Sequence, residues 1–125
     1  MHRLVPALAL LALASCGGGS SPSGPSPGGS GTTITVTADG VNPAQTNVAQ
    51  GSRVLFVNND TRTHYMASDP HPEHTDCPEI NSVGILQPGQ SRETGNLNAV
   101  RTCGFHDHDN PPPGGQKWTG RITIR

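Results

Sequence analysis

The chain has 125 residues, a formal net charge of −1, 31% hydrophobic residues, 16 glycines and 12 prolines. With eight Lys and Arg against nine Asp and Glu, it lacks the basic surface that nucleic-acid binding requires, so we predict no nucleic-acid partner. The low hydrophobic content allows one small domain rather than several.

The N-terminus has the features of an export signal. Arg3 precedes an apolar run over residues 4–14, which is too short to span a bilayer and is typical of a secretion signal. The sequence LASC that ends at Cys16 resembles a bacterial lipobox, in which the cysteine becomes the lipidated first residue of the mature chain. We therefore predict a lipoprotein signal at residues 1–15 and a lipid anchor on Cys16, on the periplasmic or cell-surface side of a bacterial membrane. Cleavage as an ordinary signal peptide is the alternative.

Residues 16–31 are predicted to be a linker. After Cys16 they contain only Gly, Ser and Pro, which cannot bury enough surface to offset the entropy of ordering. Fully extended, this tether reaches roughly 50 Å and would hold a domain away from the membrane. The folded domain is then residues 32–125.

The domain has the pattern of an all-β protein. No segment keeps apolar residues at the helical period, and short β-branched runs lie between turn formers instead. About seven strands in a small Greek-key sandwich or barrel are predicted. The clearest runs are residues 32–38, 52–57, 90–94, 98–105 and 118–124.

Five of the six histidines fall between positions 64 and 108. His106 and His108 are two residues apart, which in extended backbone aims both rings to one side. The neighbouring Asp107 and Asp109 could accept the free ring N–H of a liganding histidine and fix its tautomer. For His108 alone, an exposed loop histidine is the alternative. The loop over residues 61–84 adds further histidines beside prolines that favour an extended chain. There we favour His74 as a fourth ligand and interpret His71 as solvated loop.

Several motifs together resemble the cupredoxins, the family of plastocyanin and azurin. The motifs are V-x-x-G-x-x-V-x-F-x-N-x-D at 48–60, a following His64, P-G-Q-S at 88–91, C-x-x-H at 103–106 and G-x-I-x-I at 120–124. The resemblance covers nearly all of residues 32–125 and implies a sandwich with one mononuclear copper ion. The H-D-H sequence at 106–108 resembles a branch of exported cupredoxin-like proteins.

By position, the resemblance implies His64, Cys103 and His106 as copper ligands, usually completed by a weakly bound methionine. No methionine follows His106. Met66 lies two residues after His64, where extended backbone places both side chains on one face, so it is a possible axial ligand. A core position for Met66 is the alternative.

Cys103 has two competing interpretations. If Cys16 is lipidated, Cys77 and Cys103 are the two remaining cysteines in an oxidising compartment, which favours a disulfide. That disulfide would close about 25 residues and add roughly 3 kcal/mol in the chain-entropy model. Alternatively, Cys103 is a thiolate ligand of a blue-copper site.

The sequence thus predicts an exported copper-binding protein that acts in electron transfer or copper handling and is not an enzyme. Its partners would be the membrane, through the lipid anchor, and a redox or copper-delivery protein. The predicted ligands of its one copper ion are His64, His106, His108 and His74. The alternatives are a superoxide dismutase-like copper enzyme, a metal-free interaction module stabilised by the disulfide, and a zinc site.

Overall fold

The computed structural model describes residues 29–125, with side chains from residue 32 onward. The predicted signal at residues 1–15, the predicted lipidation site Cys16 and most of the predicted linker lie outside this range. Within the described residues there are nine β-strands, two short 3₁₀ helices and no α-helix. None of the helices in residues 29–125 is long and apolar enough to span a membrane.

The strands are short. In chain order they are β1 (Gly29–Thr37), β2 (Gly40–Asn42), β3 (Gln45–Val48), β4 (Arg53–Asn58), β5 (His64–Ser68), β6 (Gly84–Leu86), β7 (Ser91–Glu93), β8 (Thr102–Asp107) and β9 (Gly120–Ile124). The 3₁₀ helices are Pro78–Ser82 and Gln116–Trp118. Strand β1 starts three residues before the domain start that the composition predicts.

The strands form two mixed sheets. One has the order β2-β1-β4-β7 and the other β3-β9-β8-β5-β6. The pairs β1 with β4 and β3 with β9 are parallel, and the remaining pairs are antiparallel. The predicted all-β sandwich is confirmed, although it contains nine strands rather than about seven.

The core lies between the two sheets. In β4 the alternate residues Val54 and Phe56 are fully buried, as the two-residue period of a strand requires. Phe56 packs edge to face against Phe105 of β8, with ring centroids 5.1 Å apart. Each such side chain contributes about 1.5–3 kcal/mol when fully buried. The core therefore holds β4 and β8, on opposite sheets, in fixed positions.

Two contacts join the long loop after β5 to strand β8. In the second sheet β5 pairs with β8, and Ala67 lies opposite His106. The loop is tied to β8 again by a disulfide between Cys77 and Cys103, both fully buried. The loop that begins at Asp69 is therefore held alongside β8.

Candidate metal centre

Four histidine side chains meet where this loop lies against the end of β8. They are His71, His74, His106 and His108, and one nitrogen atom of each lies within 4.8 Å of the corresponding atoms of the others. The ring centroids of His74 and His106 are 5.0 Å apart, and those of His74 and His108 are 4.8 Å apart. The structure therefore brings together donors from two separate stretches of the chain.

His106 is buried and oriented by a carboxylate. Its Nδ1–H donates a hydrogen bond of 2.6 Å to Oδ1 of Asp69, which leaves the lone pair on Nε2. That Nε2 atom is buried and has no hydrogen-bond partner among the described residues. Buried polar atoms almost always have a partner, and a histidine held by a carboxylate in this way is typical of a metal ligand.

Gly104 makes room for that carboxylate. A Cβ atom at position 104 would overlap the carboxylate of Asp69. The backbone N–H of Asp69 also donates to the carbonyl of Gly104 at 3.0 Å. The sequence C-G-F-H therefore places a residue without a side chain where Asp69 must approach β8 to reach His106.

His74 has a left-handed backbone conformation, with φ of 57°. This region costs a non-glycine residue on the order of 1–3 kcal/mol and is often found at functional sites. Its N–H donates to the carbonyl of Pro70 at 2.7 Å, and Nδ2 of Asn81 donates to its carbonyl at 2.8 Å. The loop thus turns over residues 71–73 rather than running extended as the prolines predict, so the rings of His71 and His74 meet.

The tautomer of the His74 ring is also fixed. Because the carbonyl of Ser68 can only accept, Nδ1–H of His74 must donate the 2.8 Å bond to it, and the lone pair is on Nε2. This Nε2 lies 2.7 Å from Nδ1 of His108. Without a metal ion, His108 donates to His74. With an ion, both nitrogens present lone pairs to it.

His108 and His71 complete the group in different ways. The backbone N–H of His108 donates to the carbonyl of Tyr65 at 2.6 Å, and its ring packs on Tyr65 with centroids 4.8 Å apart. His71 is exposed, and its ring centroid lies 4.9 Å from that of His108. The sequence interpretation of His71 as solvated loop missed its place in the cluster. The high density of histidines around it in the sequence already indicated such a place.

His64 lies outside this cluster. It is 1% exposed, with Nδ1 2.7 Å from Oδ2 of Asp107 and Nε2 2.9 Å from Oδ2 of Asp60. Each ring nitrogen therefore faces a carboxylate oxygen at hydrogen-bond distance. In this arrangement His64 offers no free nitrogen, so the structure does not bring it together with His74, His106 and His108.

The two carboxylates around His64 are well supplied with donors. The hydrogen bond from His64 is the largest reason that the pKa of Asp60 falls from 3.8 to about 2, and the N–H of Thr61 and the side chain of Arg62 also lower it against the effect of burial. Asp107 accepts from the backbone N–H of Tyr65 and of Asp109, each at 3.1 Å. Asp107 therefore supports His64 rather than a histidine of the cluster.

The structure also shows where Cys103 and Met66, the two sulfur-containing candidate ligands, lie. Cys103 forms a disulfide with Cys77, as one of the two sequence interpretations predicts, so the alternative of a Cys103 thiolate ligand is wrong for this structure. An oxidised sulfur has no thiolate to offer copper. Met66 is fully buried in the hydrophobic core between the sheets, which is the alternative given for it.

Comparisons with known proteins find similarity in structure only. No family model matches the sequence, and no curated protein matches it. Among solved structures, the chain is similar to a purple cupredoxin from Nitrosopumilus maritimus, with 14% identity and a TM-score of 0.57 over 75% of this chain and 99% of that one. It is also similar to oxidised plastocyanin from Dryopteris crassirhizoma, with 17% identity and a TM-score of 0.55 over 75% and 100% of the two chains. A copper(I) amicyanin mutant gives 10% identity and a TM-score of 0.57 over 75% and 81%.

Proposed function

Starting from the cupredoxin fold that the domain shares with these structures, we propose that the protein binds one copper ion through four histidines. The ligands are His71, His74, His106 and His108. The observation that carries the proposal is the buried Nε2 atom of His106, which has no partner among the described residues. An ion at the centre of the cluster would satisfy it.

The donor set is suitable for copper. Imidazole nitrogens bind copper well, and Cu²⁺ has the highest affinity of the divalent first-row metals for such sites. Asp69 and the carbonyl of Ser68 hold the second ring nitrogens of His106 and His74, which fixes the tautomers that leave Nε2 free. When bound, copper would supply one-electron chemistry. The chain's own residues orient the donors and keep His106 away from water.

The site would differ in colour from a blue-copper centre. Because Cys103 is in a disulfide, every proposed ligand is a nitrogen. Intense colour in blue-copper proteins requires a thiolate ligand. We therefore expect a weak visible band, together with nitrogen hyperfine structure in the electron paramagnetic resonance spectrum of the Cu(II) form.

The proposed role is electron transfer or copper handling by an exported protein, with the lipid anchor on Cys16 attaching it to a membrane. The similar plastocyanin structure is an oxidised form and the similar amicyanin structure is a Cu(I) form, which favours a site that holds copper in more than one oxidation state. A redox protein or a copper-delivery protein would approach the exposed side of the cluster, at His71. No catalytic activity is proposed.

The test is a metal titration of the full chain produced in an oxidising compartment. Intact mass should show that Cys77 and Cys103 lack free thiols, and calorimetry should show uptake of one Cu(II) per chain. His106→Ala should abolish this uptake, while Glu73→Gln, an exposed change in the same loop, should preserve it. Wild-type protein without one-to-one uptake would contradict the proposal, and uptake of Zn(II) in clear preference to copper would replace it with a zinc site.

A further inference from the structure

The protein holds three of the four clustered histidines firmly. His106 is 1% exposed and donates to Asp69. His74 is fixed through its ring by Ser68 and through its backbone by Pro70 and Asn81, and His108 is fixed by its backbone bond to Tyr65. Moving the ring of His106 or His74 would break its hydrogen bond to Asp69 or Ser68. Moving the ring of His108 would break its 2.7 Å contact with the ring of His74.

His71 differs from the other three. It is exposed, and within residues 32–125 its ring has no hydrogen bond. Its ring contacts are with the other members of the cluster, at centroid distances of 5.7 Å to His74, 5.4 Å to His106 and 4.9 Å to His108. Rotation of His71 toward solvent would therefore leave the rest of the site in place, and its freed imidazole would be hydrated at once.

From this asymmetry, and resting on the proposed copper function, we infer that His71 is an exchangeable ligand through which copper is handed to an acceptor. The acceptor presents an imidazole or thioether donor, both of which bind copper. One bond from copper to His71 breaks, one bond from copper to the acceptor forms, and the oxidation state of the ion does not change. His74, His106 and His108 retain the cargo until the acceptor supplies further donors.

An exchangeable His71 distinguishes between the two proposed roles, electron transfer and copper handling. An electron carrier works best when its ligands stay fixed while the ion changes charge. A copper-handling protein needs one position at which the acceptor can enter, and the acceptor must reach it from solvent. His71 is the one exposed member of the cluster, so the geometry favours copper handling.

The test compares Cu(II)-loaded full-length wild type, His71→Ala and Glu73→Gln. Free imidazole serves as the model donor and is titrated with visible and paramagnetic resonance detection. Release of copper to the chelator EDTA is followed by stopped-flow spectroscopy. His71→Ala should still bind one Cu(II), should take up one imidazole that restores the wild-type spectrum, and should release copper roughly tenfold faster or more, a change of about 1.4 kcal/mol in the barrier.

The controls separate this inference from the proposed function. Absence of one-to-one uptake by the wild type refutes the copper function itself. If the wild type binds copper but His71→Ala loses uptake as His106→Ala does, or shows neither imidazole binding nor faster release, His71 is not an exchangeable ligand. Glu73→Gln should match the wild type, and a change in it as large as that in His71→Ala would assign the effect to the charge of the turn instead.

Discussion

His64 and His106 are both 1% exposed and both lie on the second sheet, yet their ring nitrogens differ in their hydrogen-bond partners. Both nitrogens of His64 face carboxylates, at 2.7 and 2.9 Å. One nitrogen of His106 faces Asp69, and the other has no partner among the described residues. Burial alone does not identify a metal ligand. The hydrogen-bond state of the second ring nitrogen does.

The largest expected effect on stability comes from replacing His64. In His64→Leu both Asp107 and Asp60 lose their imidazole partner, and each hydrogen bond to a charged group contributes about 1.5–3 kcal/mol. Urea unfolding of the metal-free protein should show this loss, while uptake of one Cu(II) per folded chain should persist.

The double variant His64→Leu with Asp107→Asn is the control for that measurement. It replaces the Asp107 carboxylate, which the single variant leaves without its imidazole partner, by a neutral amide, so the loss should be smaller than in the single variant. If His64→Leu instead loses copper uptake with unchanged stability, His64 is a ligand, as the family resemblance implies, and the comparison between the two histidines fails.

The disulfide provides the next effect in size. Its cysteines are 26 residues apart, and replacing both Cys77 and Cys103 with Ala should lower the free energy of unfolding by about 3 kcal/mol. Copper stoichiometry should remain one to one because neither sulfur is a proposed ligand. Chemical denaturation and calorimetry check the two parts. Loss of copper binding from a variant that still folds with wild-type stability would return Cys103 to the ligand set.

A smaller effect is expected at the carboxylate that orients His106. Asp69→Ala removes the acceptor of the 2.6 Å bond and should weaken Cu(II) binding about 10- to 100-fold, as the loss of such an outer partner usually does. Asp69→Asn keeps an oxygen acceptor and should recover part of the affinity. Competition titrations measure both. Equal affinity for wild type and Asp69→Ala would show that His106 needs no such support.

The smallest expected effect is on the stability in acid that Asp60, a contact of His64, contributes. Because the pKa of Asp60 falls from 3.8 to about 2 in the folded protein, the unfolded chain binds more protons as the pH falls through this window. The contribution of Asp60 is therefore complete above pH 3.8 and is lost on the way to about pH 2. Unfolding of the metal-free protein across this range should show the decline. Asp60→Asn should have a lower free energy of unfolding above pH 3.8, and that free energy should depend less on pH between 3.8 and about 2. An unchanged pH dependence would argue against the contact with His64.

The fold was largely predictable from sequence, and the site only in part. Alternation in runs such as Arg53–Asn58 identifies buried strands directly, whereas Gly40–Asn42 and Gln45–Val48 are short and polar and become strands only by pairing with neighbours. The spacing of His106 and His108 indicated a shared site because it is local. The proximity of His71 depends on a turn at His74 with positive φ, and the isolation of His64 depends on Asp107, which is 43 residues away along the chain. Contacts of that kind have no local signature.

The sequence H-D-H at the end of β8 connects the two systems. His106 faces the cluster, Asp107 faces His64, and His108 faces the cluster again, as the alternation of a strand dictates. A slip of one residue in the pairing of β8 with β5 would turn every side chain to the opposite face. It would place the Asp107 carboxylate among the clustered histidines and an imidazole beside His64. One residue inserted or deleted before His106 would therefore disrupt both the histidine cluster and the contact between Asp107 and His64.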